Sequence, residues 1–191
     1  VTYATTVDSL LAIKYLVFDR KKCAMAELIG ALKDNWQGHD VLQAFAKNKA
    51  PKYGRDDDEA DAMAKEVMDL WCNETWKHKT VSTGRQFRPG MLSWNYWAGD
   101  GFVMAASADG RHKGQFLSNA ICPSNGADIN GPTSNANSVG KVMGGRAAEG
   151  NGHWGEYLNC LPNGASHTIT FNPSMIRDPE HQEKFKAFLK G

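Results

Sequence analysis

Apolar residues recur at helical spacing through the first eighty positions and lose that spacing afterwards. Leu10, Leu11, Ile13, Leu16 and Val17 are spaced for one buried helical face. Thr5-Thr6-Val7-Asp8 precedes them as a capping-box pattern, and the basic run Arg20-Lys21-Lys22 suits the helix C-terminus. Met25, Leu28, Ile29 and Leu32 predict a second helix ending near Trp36-Gln37-Gly38. Asp40 is placed to cap a short third helix carrying Leu42 and Phe45, before Pro51 and Gly54 break the chain. A long fourth helix follows through Met63, Val67, Leu70 and Trp71. Its approach, Asp56-Asp57-Asp58-Glu59, is read as an acidic start that complements the helix dipole, against the alternative of a metal cluster.

From Thr80 on, Gly, Asn, Trp and Pro rise. Arg88-Pro89-Gly90 and Asn163-Gly164 predict turns. Met91 to Trp97 and Phe102 to Ser107 predict buried strands, and Ser166 to Phe171 alternates as a third. Between them, Ala108 to Lys141 is a turn-rich loop with apolar residues too sparse for a helical face. Its dipeptides Asp109-Gly110, Asn125-Gly126 and Asn130-Gly131 can each supply a positive φ. Such a long loop is more often functional than filler. Gly144 to Gly155 is polar and Gly-rich, a predicted surface excursion. Asp178-Pro179-Glu180 starts a final helix with Pro at its first position and Phe185, Phe188 and Leu189 facing inward. Helices first, then strands with long loops, predict part of an α/β assembly: a helical part at about residues 5–79 and a strand and loop part at about 80–191.

Composition narrows the function classes. At 191 residues the chain can form a real core, and its net charge of +1 argues against a general polyanion-binding surface. No apolar run is long enough to span a membrane, and no signal peptide precedes Val1. Cys23, Cys72, Cys122 and Cys160 form neither a C-x-x-C pair nor a zinc pattern, so a reduced, cytoplasmic protein is expected. With no initiator Met and a helix starting almost at once, the chain reads as a piece of a longer protein.

Few motifs survive scrutiny. Gly150-Asn151-Gly152-His153-Trp154-Gly155 has the letters of a dinucleotide fingerprint but no strand before it and no apolar helix after it. Gly140-Lys141 lacks the Ser or Thr of a phosphate loop. The six histidines show no metal spacing; His112 and His153 are expected on exposed loops, and His167 is either cavity-lining or structural. Arg85, Arg88 and Arg111 could clamp a carboxylate, although Arg111, set among turns, is expected to tie loops to carbonyls. Phe87, Trp94, Tyr96, Trp97 and Phe102 are core by default and an apolar substrate pocket by the sharper reading.

Residue order adds a resemblance. Asp109-Gly110-Arg111-x-x-Gly114, then Ser124-x-Gly126-x-Asp128-x-x-Gly131-Pro132-Thr133, then Asn137-Ser138-Val139-Gly140-Lys141 resembles a stretch of the glycyl radical enzymes, relatives of pyruvate formate-lyase. Gly84 to Trp94, Leu117-Ser118-Asn119-Ala120 and Asn163 to Thr168 look most like the large subunit of the fumarate-adding group, the benzylsuccinate and alkylsuccinate synthases. The resemblance implies an internal fragment of a pyruvate formate-lyase-like domain, a barrel of two parallel half-sheets wrapped by helices. It implies a glycyl radical and a cysteine loop, both outside residues 1–191, so no catalytic residue and no bound cofactor or metal falls within the chain. It implies hydrocarbon and fumarate as substrates, an S-adenosylmethionine-dependent activating enzyme, and small accessory subunits in an oligomer; neither nucleic acid nor a membrane span is expected. Cys72-Asn73-Glu74 imitates the family's Cys-x-Glu but sits in an amphipathic helix, where a core thiol is expected; Cys122 too is read as a buried thiol. Strand alternation then nominates Ser93, Asn95, Trp97, Val103, Ala105, His167 and Ile169 as cavity-wall positions. The alternatives are a glycyl radical decarboxylase or eliminase acting on an aryl acetate, polyol or choline-type substrate, and a non-catalytic partner-binding module. Cut parallel strands would leave exposed edges, so the chain is not expected to fold alone.

Overall fold

The computed structural model describes residues 2–143 and 161–190. The expectations for Gly144 to Gly155, His153 and Cys160 lie outside those residues. The first half is a layer of helices: α1 (Tyr3–Ile13), α2 (Met25–Lys33), α3 (Asp40–Asn48) and α4 (Asp58–Trp76). α1 widens into a π-helical segment, Lys14–Asp19, whose ladder is closed by Arg20 N–H donating to Tyr15 O at 2.9 Å.

α1 packs on α4 by one buried face. Tyr3, Ala4, Val7 and Leu11 meet Ala60, Ala64, Met68 and Cys72. Tyr3 Oη adds a 2.6 Å bond to Ala64 O and a T-shaped contact with Tyr53 at 5.5 Å. Leu16, Leu28, Ala31, Trp36 and Ala46 form a second cluster from the π-segment, α2 and α3. On α4 the small residues turn inward while Leu70 and Trp71, predicted as core, are 64% and 48% exposed. Ala60 and Ala64 allow the close approach that a leucine face would prevent.

Thr5 and Asp8 do not cap α1. The helix starts at Tyr3, and both side chains serve the tertiary structure. Thr5 N–H donates to Ser118 Oγ at 3.0 Å, and Ser118 N–H returns a 2.9 Å bond to Thr5 Oγ1. Asp8 Oδ1 accepts from Tyr53 N–H at 2.9 Å. Asp40 likewise lies inside α3, whose N-cap is His39. Asp57 does cap α4, accepting from Ala60 N–H at 2.9 Å.

The second half differs from expectation. Among the described residues there are no strands, only isolated bridges: Lys79 with Gln86, antiparallel, and Met91 with Ala165, parallel. Met91–Trp97 is interrupted at Trp94, where φ is +45°, and α5 (Tyr96–Val103) takes the place of the second strand's start. Gly101 explains the helix: a Cβ there would sit 2.6 Å from Gln115 O, so glycine lets α5 lie directly on the following loop. Ser166 to Phe171 runs without a ladder beyond its single bridge. The predicted loop holds α6 (Pro132–Met143), whose buried face is Asn135, Ser138, Val139 and Val142. That face is half polar, so hydrophobic periodicity could not reveal it. α7 (Ser174–Arg177) and α8 (Pro179–Lys190) close the chain; Asp178 Oδ1 caps α8 through Glu180 N–H at 2.9 Å. Phe185 and Phe188 pack edge-on against Phe171, but Leu189 is exposed.

Lys141 of α6 reaches back to α4. Its Nζ lies 2.7 Å from Asp56, 2.8 Å from Asp58 and 3.4 Å from Asp61. The acidic run is thus answered by an ammonium, which raises the Lys141 pKa and lowers that of Asp56. Among the described residues no group of three His, Cys, Asp or Glu could hold a metal ion. No described helix is long and apolar enough to cross a membrane.

Candidate functional site

Three backbone segments meet around the parallel bridge. Asn163 N–H donates to Pro89 O, Met91 N–H to Gly164 O and Ser166 N–H to Met91 O, at 3.1, 2.9 and 3.2 Å. Residues 119–122 join from the other side of this segment: Ile121 N–H donates to Ser166 O at 3.4 Å. Gly90 is required here, since a Cβ would come within 2.8 Å of the Asn163 side chain. Ser93 is buried; its Oγ donates to Asn119 Oδ1 and accepts from Ala120 N–H at 2.9 Å. On either side of this pair sit two non-glycine residues with left-handed backbone, Trp94 and Ala120, at φ +45° and +46°. Such conformations cost on the order of 1–3 kcal/mol and persist only where surroundings over-determine them. Trp94 is 81% exposed at this strained position.

His167 and Cys122 lie on the same junction. Cys122 Sγ accepts from Thr168 N–H at 3.2 Å and is buried. His167 is half-buried, and its Nε2 lies 2.8 Å from Asn135 Oδ1 on α6. Asn135 Nδ2 in turn donates to Asp128 Oδ2 at 3.0 Å. Burial holds the His167 pKa below its ordinary value, so the ring is neutral at physiological pH.

A concave region opens beside α1. A cavity of about 590 Å³ is lined by Asp8, Lys52, Arg55, Ser124 and the rings of Phe102 and Phe116, among others. Asp8 is fully buried, and desolvation pushes its pKa up to about 6 against the pull of Lys52 and the Tyr53 N–H. A hydrogen bond from the Ser124 hydroxyl also pulls it down. Lys52 Nζ donates to Asp109 O at 3.0 Å, and burial lowers its pKa. The Asp109-Gly110-Arg111 turn forms the wall. Arg111 Nε donates to Ser107 Oγ, Nη1 to His112 O and Gln115 O, and Nη2 to Ala105 O. This guanidinium is spent on the loop and is not available to clamp a carboxylate. His112, expected on an exposed loop, is half-buried and bridges to Asn35 O at 3.0 Å and the Gln43 amide at 2.8 Å.

The nominated wall positions do not form one face. Ser93 and His167 share the junction. Asn95 is the exposed N-cap of α5, Trp97 packs edge-on against Phe116 at 4.8 Å, and Val103 ends the helix in solvent. Ala105 is exposed with its carbonyl bound by Arg111, and Ile169 is half-buried. Strand alternation cannot order residues that a helix carries. Phe87, Trp94, Tyr96 and Phe102, core by default, are each more than 45% exposed and form unburied aromatic surface. The residues the sequence missed are Asn119, Asn135 and Asp128, whose only signal was their place among the turn residues. Cys72 is wholly buried between α4 and α1, and Cys23, Cys72 and Cys122 are free thiols.

Comparison with known proteins gives the wider frame. A family model described as "Pyruvate formate lyase-like" matches residues 1–99. The chain is 41% identical over 138 residues to trans-4-hydroxy-L-proline dehydratase of Clostridioides difficile, covering 72% of this chain and 17% of that protein. It is 36% identical over 200 residues to isethionate sulfite-lyase of Nitratidesulfovibrio vulgaris, covering 98% and 21%. The glycerol-bound B12-independent glycerol dehydratase of Clostridium butyricum superposes with a TM-score of 0.83 at 32% identity, covering 99% of this chain and 22% of that one. The chain thus spans about a fifth of the length of the relatives it matches.

Proposed function

Because the chain belongs to the pyruvate formate lyase-like family of glycyl radical enzymes, we propose that it is wall and scaffold of a glycyl radical eliminase, a dehydratase or carbon–sulfur lyase acting on a small hydroxylated substrate. The observation that carries this reading is the similarity to a hydroxyproline dehydratase and an isethionate sulfite-lyase over most of the chain. It displaces fumarate addition, the leading expectation from the motifs, to second place. The glycyl radical, relayed to a cysteine, supplies removal of a hydrogen atom from a substrate carbon. Both groups are assigned to parts of the protein beyond residues 1–191. The buried thiol of Cys72 and the buried, hydrogen-bonded thiol of Cys122 fit that assignment, since a relay cysteine must face substrate.

What this chain contributes is shape and polarity. In the proposed barrel the bridge of Met91 and Ala165 extends into a parallel pair, and the junction faces the cavity, with Ser93 and His167 as its candidate lining. The walls keep water from reactive intermediates. A cytoplasmic setting and an S-adenosylmethionine-dependent activating enzyme complete the proposal, and three free cysteines fit a reducing compartment. Addition of a hydrocarbon to fumarate is the second reading. It is favoured by the exposed Trp94, Tyr96, Phe87 and Phe102, which suit an apolar substrate.

One experiment separates the two. The full-length protein, activated anaerobically by its partner enzyme, is offered trans-4-hydroxy-L-proline, glycerol and isethionate in one set. Toluene or an alkane with fumarate forms the other. Release of water or sulfite supports elimination; a substituted succinate with no elimination product overturns it.

A further inference from the structure

We infer that Asp128 and Asn135 hold His167 in its Nε2–H tautomer, so that Nδ1 stands as a hydrogen-bond acceptor for a substrate hydroxyl. The inference deepens the eliminase reading and rests on it for the substrate class. A carboxylate oxygen only accepts, so the Asn135 group 3.0 Å from Asp128 Oδ2 is the amide nitrogen. That fixes the amide's orientation and turns Oδ1 toward His167, 2.8 Å from Nε2. A carbonyl oxygen also only accepts, so Nε2 carries the proton. In a neutral imidazole the other nitrogen then has its lone pair free. Asn135 is 2% exposed on α6, so its amide cannot exchange partners with water.

The placement makes this chain of three more than a satisfied core histidine. His167 is half-buried, its Nδ1 has no hydrogen-bond partner among the described residues, and its neighbour Thr168 is held by Cys122 Sγ at 3.2 Å. One edge of the ring is thus fixed from behind and the other left with an open lone pair. That arrangement is how a second residue sets which nitrogen of a histidine does the work. The ligand it suits is a neutral hydrogen-bond donor, such as the hydroxyl of an alcohol or diol. Asp128 and Asn135 are positioning residues; His167 alone would touch substrate.

The test uses the full-length, activated enzyme with nitrogen-15-labelled histidine. Solid-state NMR at neutral pH reads the tautomer, with the His167 signals identified by their loss in H167N. The expected result is protonated Nε2 and bare Nδ1. In D128N the Asn135 amide is free to flip, and a mixture of tautomers is expected while the glycyl radical signal stays at the wild-type level. For a hydroxylated substrate, H167L lowers kcat/KM by about tenfold, the worth of one hydrogen bond. H167N, whose amide reaches the Nδ1 position, recovers most of it. A protonated Nδ1 in the wild type, a tautomer unmoved by D128N, or H167L turnover equal to wild type overturns the inference. A wild-type enzyme that eliminates nothing overturns the proposed function instead, while the spectrum still decides the tautomer.

Discussion

The helical layer and the junction of residues 89–93, 119–122 and 163–168 are held together by different forces. In the helical layer, apolar side chains meet each other: Tyr3, Val7 and Leu11 on Ala60, Ala64 and Met68, and Leu16 on Leu28 and Trp36. At the junction the order is reversed. Aromatic side chains stand in solvent, while Ser93 joins the Asn119 side chain to the Ala120 N–H and Asn135 links His167 to Asp128. Hydrophobic burial tolerates small shifts because it is nondirectional. Hydrogen-bonded staples do not, and a surface meant to present groups at fixed positions needs the second kind of support.

That contrast can be broken at graded cost, measured by denaturation of the full-length protein. Leu16→Ala in the helical layer empties a fully buried site and should cost about 4 kcal/mol. Asp8 gives the next effect, and its sign is fixed. Its folded pKa of about 6 lies above the ordinary 3.8, so the folded state holds the proton more tightly. The associated stability is fully present below the ordinary value and is lost as pH rises through about 6, to the extent of about 3 kcal/mol. Asp8→Asn should flatten that part of the stability-versus-pH curve; an unchanged curve would remove Asp8 as its source. Arg111→Lys keeps the charge but not the fork that reaches Ala105 O, His112 O and Gln115 O. A loss of about 2 kcal/mol is expected. Faster hydrogen exchange should be confined to residues 105–116. Smallest is Trp94→Gly, which relieves a left-handed backbone and should stabilise by about 1 kcal/mol while lowering turnover. Stabilisation without loss of turnover would show that the exposed indole plays no part in the site.

The same contrast explains what could be read from the sequence. The first four helices and the last were legible from apolar spacing and end signals; Asp178 caps the last at its predicted start, and Asp57, read as complementing the α4 dipole, caps it as well. Gly110, Gly126, Gly131 and Gly164 all have the positive φ their turns predicted. Facing was less legible. On α4 the inward face includes Ala60 and Ala64, whose small size matters more than their hydrophobicity. α6 was hidden because Asn135 and Ser138 are buried for their hydrogen bonds. α5 was hidden by Gly99 and Gly101, poor helix formers, the latter required by contact with Gln115 O. The strands failed for a different reason: a strand is a property of a ladder, and Met91 and Ala165 supply a single rung. The proposed substrate class rests on relatives, because motifs such as Asp109-Gly110-Arg111 carry loop architecture and not specificity.

The two-way bond between Thr5 and Ser118 has a practical corollary. It fastens positions 113 apart, and each residue both gives and takes, so the two segments hold one another without relying on the covalent path between them. That path runs through the turn at Val81, which is fully open to solvent. A protease nick there should leave the halves associated, and new termini could be opened at the same turn when the gene is rearranged.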